Sequence, residues 1–337
     1  MKTWQETNVL TTRTRSLLEG GQSAAWAIVT RIEGSTYRRP GAKLLIEADG
    51  RMSGNISGGC LEADVRENAL AAIEASQPRC LYYDTSDDED TLWGMGLGCN
   101  GKVDLLVLPF QPDKDLPWLS QLAEGLAGDQ PLAVRYPLHS ELPTVETPTA
   151  DLQTGLDEAA FTEKLLPPPT LAVIGAGDDA MPLVQMAAAV GFRVTVVDHR
   201  SAYLTAERFA DAHEMLSLRS DEDLPESWNA ASTLAIVKTH ALQHDQAWVE
   251  RLIAHGLPYV GLLGPRDRRD AIRNRIDPEA RSRLYGPVGL DIGGEGPEQV
   301  SLSIVAEALA VWHQRTGGHL RERKTAIHDE GDEAKTI

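Results

Sequence analysis

Cysteine is scarce in this chain: Cys60, Cys80 and Cys99 are the whole complement among 337 residues. No two of them form a Cys-x-x-Cys pair, so the spacing supports neither a disulfide framework nor a structural zinc site, and the thiols read as reduced. Positive charge is short as well. Lys and Arg number 32 against 50 Asp and Glu, a formal net charge of -18, which sets any nucleic-acid or anionic-membrane surface against the global field. No run approaches the roughly 20 apolar residues of a membrane span, and residues 1–21 lack the apolar core of a secretion signal. These shortages point to a globular protein of about two domains, expected in the cytoplasm with no nucleic-acid or membrane partner.

Hydrophobic periodicity divides the chain. Residues 1–110 read as a compact α+β domain: a helix over 7–19, strands over 24–32 and 42–47, and a hairpin turn at Asp49-Gly50. A glycine loop over 53–59 then leads into a helix over 60–75, where Leu61, Val65, Ala69 and Ala72 recur at helical spacing. Strands over 79–84 and 102–109 follow, separated by an acidic run and the loop 93–101. Residues 111–169 are rich in proline and acid with a short helix over 116–126, and read as an irregular edge segment and linker ending at Pro167, Pro168 and Pro169. From 170 to 320 strands (171–174, 193–198, 233–238, 259–263) alternate with helices (180–190, 201–210, 244–254, 266–276, 297–313). That alternation predicts an α/β fold with a Rossmann-like parallel sheet and helices on both faces. Residues 321–337 are charged and expected to be a mobile tail.

The densest chemistry lies at Gly58-Gly59-Cys60-Leu61-Glu62. A thiol at a helix start meets unpaired N–H groups and the positive end of the macrodipole, which favour the thiolate, a nucleophile and soft ligand. The glycines let another molecule approach the backbone. The alternative is a core cysteine after an ordinary turn. A second glycine-framed thiol, Gly98-Cys99, reads as lining the same cleft. Arg38 and Arg39 form a small basic turn suited to an anionic small molecule, or to surface salt bridges.

In the C-terminal half, Gly175 and Gly177 follow an apolar strand and open a helix, while Asp198 ends the next strand. Strand, glycine turn, helix, strand and acid together are a dinucleotide fingerprint: close approach of a pyrophosphate at the glycines and ribose hydroxyls on the acid. Asp178 and Asp179 stand where phosphates would need donors, so an empty or altered nucleotide-type site is the competing reading. His240 and His244 are four apart, but no acid or thiol stands at ligand spacing and they read as unrelated to a metal. The loop from Asp291 to Pro297 leads into a helix and is expected at the ligand crevice.

Taken together these motifs resemble a known family. Glu33 to Thr36 with Arg39-Pro40-Gly41, Gly58 to Glu62, and Gly98-Cys99 with Gly101 resemble the N-terminal domain of the XdhC/CoxI family. The dinucleotide fingerprint, Thr239-His240 with Asp245, Tyr259 to Gly264, and Gly286 to Gly293 through Pro297 to Glu307 resemble its C-terminal Rossmann domain. Departures are Ser57 and Asn100 where glycine is frequent, Pro265 for a common serine, and Asp178 for a common histidine. The resemblance implies an accessory factor that binds molybdenum cofactor, supports its sulfuration by a cysteine desulfurase and hands it to an apo molybdenum hydroxylase of the xanthine dehydrogenase type. It implies no turnover of its own and a homodimer as the assembly. It puts Cys60 forward as a molybdenum or sulfur ligand, with Gly58, Gly59, Glu62, Arg38, Arg39, Gly98 and Cys99 around the cofactor and NAD(P) or another nucleotide at Gly175, Gly177 and Asp198. An NAD(P)-dependent oxidoreductase and a persulfide-carrying sulfurtransferase are the other readings of the same residues.

Overall fold

The structure is a computed structural model that describes residues 2–34, 38–84, 101–139 and 141–323. It contains two compact units, Met1–Pro167 and Pro168–Ile337.

In the first unit, α1 (Lys2–Glu19), β1 (Ala24–Gly34), β2 (Lys43–Glu47), β3 (Met52–Gly54), α2 (Glu62–Ala75), β4 (Arg79–Asp84) and β5 (Gly101–Phe110) follow in order. The strands form one antiparallel sheet, β3-β2-β1-β5-β4. Because side chains alternate along a strand, β1 splits its apolar run between two cores. Trp26 and Ile28 join Leu45, Leu106 and Leu108 against α1, while Ala25, Ala27 and Val29 join Leu44, Ile46 and Leu105 under α2. Small residues on the second face let α2 sit close, with Val65, Ala69 and Ala72 fully buried. Helix α2 begins at Glu62, two residues after the predicted start at Cys60.

Residues 111–169 depart from the irregular segment expected of them. They carry α3 (Pro112–Ala127), β6 (Leu132–Pro137), β7 (Thr144–Glu146), β8 (Gly155–Leu156) and β9 (Ala160–Leu165), the strands pairing as β7-β6-β9-β8. The ring of Trp118 on α3 stacks on Phe110 at 5.7 Å, and Tyr136 and Phe161 are buried with them. Short strands broken by Pro143, Pro148 and acids hide the period of 2. Glu163 adds to the disguise, being an acid at a core-facing position.

The second unit is a six-stranded parallel sheet. Its elements are β10 (Thr170–Ile174), α4 (Met181–Val190), β11 (Arg193–Val197), β12 (Glu214–Leu216), β13 (Thr233–Val237), α5 (Leu242–Ala254), β14 (Val260–Leu262), α6 (Arg266–Arg273), β15 (Leu284–Tyr285) and α7 (Gly296–Trp312). The order β12-β11-β10-β13-β14-β15 is that of a Rossmann fold, as expected. The chain reverses its direction of travel between β10 and β13, so the crevice opens at their carboxyl ends. One expected helix is absent: over 201–210 only a single 3-10 turn forms, Ser201–Tyr203. A tertiary contact competes with its propensity, Arg208 donating to the Ala176 carbonyl at 2.9 Å, while locally Arg200 and Arg208 both lie over the Tyr203 ring.

Candidate functional site

The thiol loop connects β3 to α2. Its backbone is fixed by two polar side chains that bind each other, Ser57 and Glu62. Ser57 Oγ donates to Glu62 Oε2, and the Ser57 N–H donates to Oε1 at 3.0 Å. The same Ser57 oxygen accepts the Gly59 N–H at 3.1 Å, while the Leu61 N–H reaches both Ser57 Oγ and Glu62 Oε2. Burial works to raise the Glu62 carboxyl, but the Ser57 hydroxyl and the surrounding N–H groups outweigh it and hold the acid below its ordinary range. Glu62, expected beside a cofactor, therefore spends its oxygens on shaping the loop. Ser57, the residue that departs from glycine, is the other half of that clamp.

Cys60 sits at the end of this loop, half-buried at the edge of the core that holds Ile56 and Leu61. Gly58 and Gly59 are exposed, and a methyl group added at either would meet nothing within 4 Å. Gly59 has φ +109°, a conformation that favours glycine. The Gly58 and Cys60 N–H groups have no acceptor among the described residues. The result is a thiol framed by bare backbone with donors to spare.

The basic turn is less open than its sequence implies. Arg38 is largely covered and paired with Glu6 on α1, whereas Arg39 is exposed. Gly41, at φ +93°, lies where a side chain would collide with Glu163 Oε1 at 2.6 Å. Beneath it Lys43 Nζ donates to both Glu163 oxygens (2.9 and 2.7 Å), to Thr7 Oγ1 and to the Gly41 carbonyl. This buried pair anchors the turn, and sequence reasoning missed it. Gly98 and Cys99 lie outside the described residues, so the expected pairing of two thiol loops has no geometry to report.

In the second unit the fingerprint assembles. Gly175, at φ +115°, turns β10 so tightly against the end of β13 that a Cβ would stand 2.5 Å from the Lys238 carbonyl. Asp198 Oδ2 accepts the Ala176 N–H between the two glycines at 2.9 Å. Its remaining capacity is taken by Arg200: the backbone N–H and Nε reach Oδ1, both at 2.9 Å, and Nη2 reaches Oδ2 at 2.8 Å. Burial opposes ionisation here, yet these donors bring the carboxyl down to about 2. The acid read as a ribose acceptor is thus bound within the protein.

The phosphate turn is also occupied. Asp178 pairs with Arg208 at 2.8 Å, and Asp179 takes Lys238 Nζ on Oδ1 at 2.6 Å and His240 Nε2 on Oδ2 at 3.0 Å. Asp179 lies close beside Gly177, whose Cβ would stand 2.7 Å from Oδ1. His240 and His244 go to different partners, since His244 stacks on His199 at 5.5 Å. Among the described residues no group of three metal-ligating side chains converges. Lys238 was visible in the sequence only as the last residue of an apolar strand. A lysine closing such a strand at a sheet's switch point is the signal that would have found it.

Comparison with known proteins follows the same division into two units. The profile of the XdhC and CoxI family matches residues 17–84, and that of the XdhC Rossmann domain matches residues 171–308. The chain is 32% identical over 318 residues to a probable xanthine dehydrogenase subunit of Bacillus subtilis, covering 87% of this chain and 94% of that one. It is 26% identical over 301 residues to the molybdenum cofactor insertion chaperone PaoD of Escherichia coli, covering 87% and 85%. A crystal structure described as a xanthine dehydrogenase from Bacillus halodurans superposes with a TM-score of 0.75 at 30% identity, over 90% of this chain and 96% of that chain. This protein belongs to the XdhC/CoxI family.

Proposed function

We propose that this protein is a maturation factor for a xanthine dehydrogenase-type molybdenum hydroxylase. It binds molybdenum cofactor as cargo, holds it while a cysteine desulfurase system supplies the sulfido ligand, and passes it to the apo-enzyme. The observation that carries this reading is the Cys60 loop: a thiol beside exposed Gly58 and Gly59, on a backbone fixed by Ser57 and Glu62. The donor set suits the cargo. A thiolate is a soft ligand for molybdenum or a carrier for sulfur, the N–H groups of Gly58 and Cys60, which have no acceptor among the described residues, suit anionic oxygens, and exposed Arg39 suits a phosphate. The protein's part is to hold, orient and shield, without turning over a substrate. Relatives named as part of a xanthine dehydrogenase and as a cofactor insertion chaperone support the same assignment.

The test is activation of a purified apo molybdenum hydroxylase by cofactor-loaded protein, comparing wild type with Cys60→Ser and measuring the molybdenum and pterin each retains. Loss of both retention and transfer in the variant is expected; equal performance would overturn the reading. The engaged state of Asp198 weighs against an NAD(P)-dependent oxidoreductase.

A further inference from the structure

Lys238 is 2% exposed, at the end of β13 where the backbone rises from the sheet core. An ammonium has three donors, and within the described structure this one uses a single donor, to Asp179. Burial pushes its pKa down, while the carboxylates of Asp179, Asp198 and Asp245 oppose that. Leaving two ammonium donors dry is costly, so they call for an acceptor. Instead, Lys238 and Asp179 both line a cavity of about 270 Å³ whose walls include Leu183, Leu263, Val300 and Ile304. A mostly apolar cavity with a few convergent polar groups is the form of a small-molecule site.

The polar edge selects the ligand. Lys238 offers donors and Asp179 keeps acceptor capacity, with Nζ and Oδ1 2.6 Å apart. An added anion would lie against the Asp179 carboxylate with no second cation among the named lining residues to receive it, because Lys238 is already neutralised by that carboxylate. A purely apolar ligand would strand the lysine donors. A cyclic amide edge satisfies both groups, since its ring nitrogen and carbonyl oxygen stand about 2.3 Å apart and present one donor beside one acceptor.

We propose that this cavity binds an oxo-substituted nitrogen heterocycle by its N–H/C=O edge, Asp179 accepting from the ring N–H and Lys238 donating to the ring carbonyl. Two sources share that chemistry, a pterin and an oxopurine base. The pterin source rests on the maturation function above; the purine source does not.

Calorimetric titration of the full-length protein with pterin and hypoxanthine, each beside its edge-blocked counterpart 3-methylpterin or 1-methylhypoxanthine, tests the proposal without a variant. At least one parent compound should bind, at least tenfold tighter than its methylated form, a loss in the range of one stranded buried hydrogen bond. Lys238→Met and the cavity-filling Val300→Phe should weaken it similarly, with folding checked by circular dichroism. Pterin alone binding assigns the site to the cofactor, and hypoxanthine alone assigns it to a base. Equal binding of parent and methylated forms, or no binding of either parent, would overturn the site. So would binding lost in Cys60→Ser but kept in Lys238→Met, which would put the heterocycle at the thiol loop instead.

Discussion

Arg200 closes a fork on Asp198, Nε to Oδ1 at 2.9 Å and Nη2 to Oδ2 at 2.8 Å, two residues along the same chain. The acid that would receive a ribose in a dinucleotide enzyme is satisfied before any ligand arrives. A nucleotide would have to break a bidentate, charge-assisted contact to use it.

That contact has a pH signature. The Asp198 carboxyl, down at about 2 from an ordinary 3.8, stabilises the fold above pH 4. The contribution fades as pH falls from 4 through 2. Asp198→Asn should cost about 1–2 kcal/mol at neutral pH. Chemical denaturation across pH should show the gap to wild type closing in that acid window.

Gly58 and Gly59 should part company when each is replaced by alanine. At Gly59 the positive φ makes alanine cost about 1–2 kcal/mol. Gly58 has open space and ordinary φ, so Gly58→Ala should be neutral or stabilising by up to about 1 kcal/mol. Thermal melts give the stability arm. If the cofactor rests on this backbone, Gly58→Ala should nonetheless retain less molybdenum and pterin than wild type.

The side chains of Lys43 and Glu163 are only 0% and 2% exposed. Removing one charge strands the other, so Lys43→Met should destabilise by about 3–5 kcal/mol in urea unfolding. The double variant Lys43→Met/Glu163→Leu should recover most of that loss. A double variant no better than the single would show that Thr7, Tyr136 and the Gly41 carbonyl, not the charge pair, set the cost.

Glu62→Gln should loosen the thiol loop. The glutamate is held below its ordinary range, so its hydrogen bonds contribute above about pH 4.5 and weaken as pH falls below it. The variant should lose about 1 kcal/mol at pH 7 and less at pH 4. Iodoacetamide labelling of Cys60 should change in rate with it, because the loop that presents the sulfur is no longer fixed.

Elements with unbroken periodicity were legible. The apolar run of β1, the spacing of Leu61, Val65, Ala69 and Ala72, and the strand–helix alternation after residue 170 each arise from neighbours a few positions apart. Residues 111–169 were not, because their strands are short and one core-facing position is an acid. The thiol loop was found from glycine and cysteine alone, but its Ser57–Glu62 clamp needed geometry.

By itself the sequence determined the parallel, Rossmann-like character of the C-terminal half, the tight glycine turn at Gly175 and the glycine-framed loop that carries Cys60 ahead of a helix. These follow from local backbone preference and from the period of side chains on one face. Tertiary structure alone decided which charges are free. Lys43 meets Glu163 across 120 positions, and Lys238 meets Asp179 across 59. A buried charge is held by whichever opposite charge the fold brings within about 3 Å, and no local pattern encodes that distance.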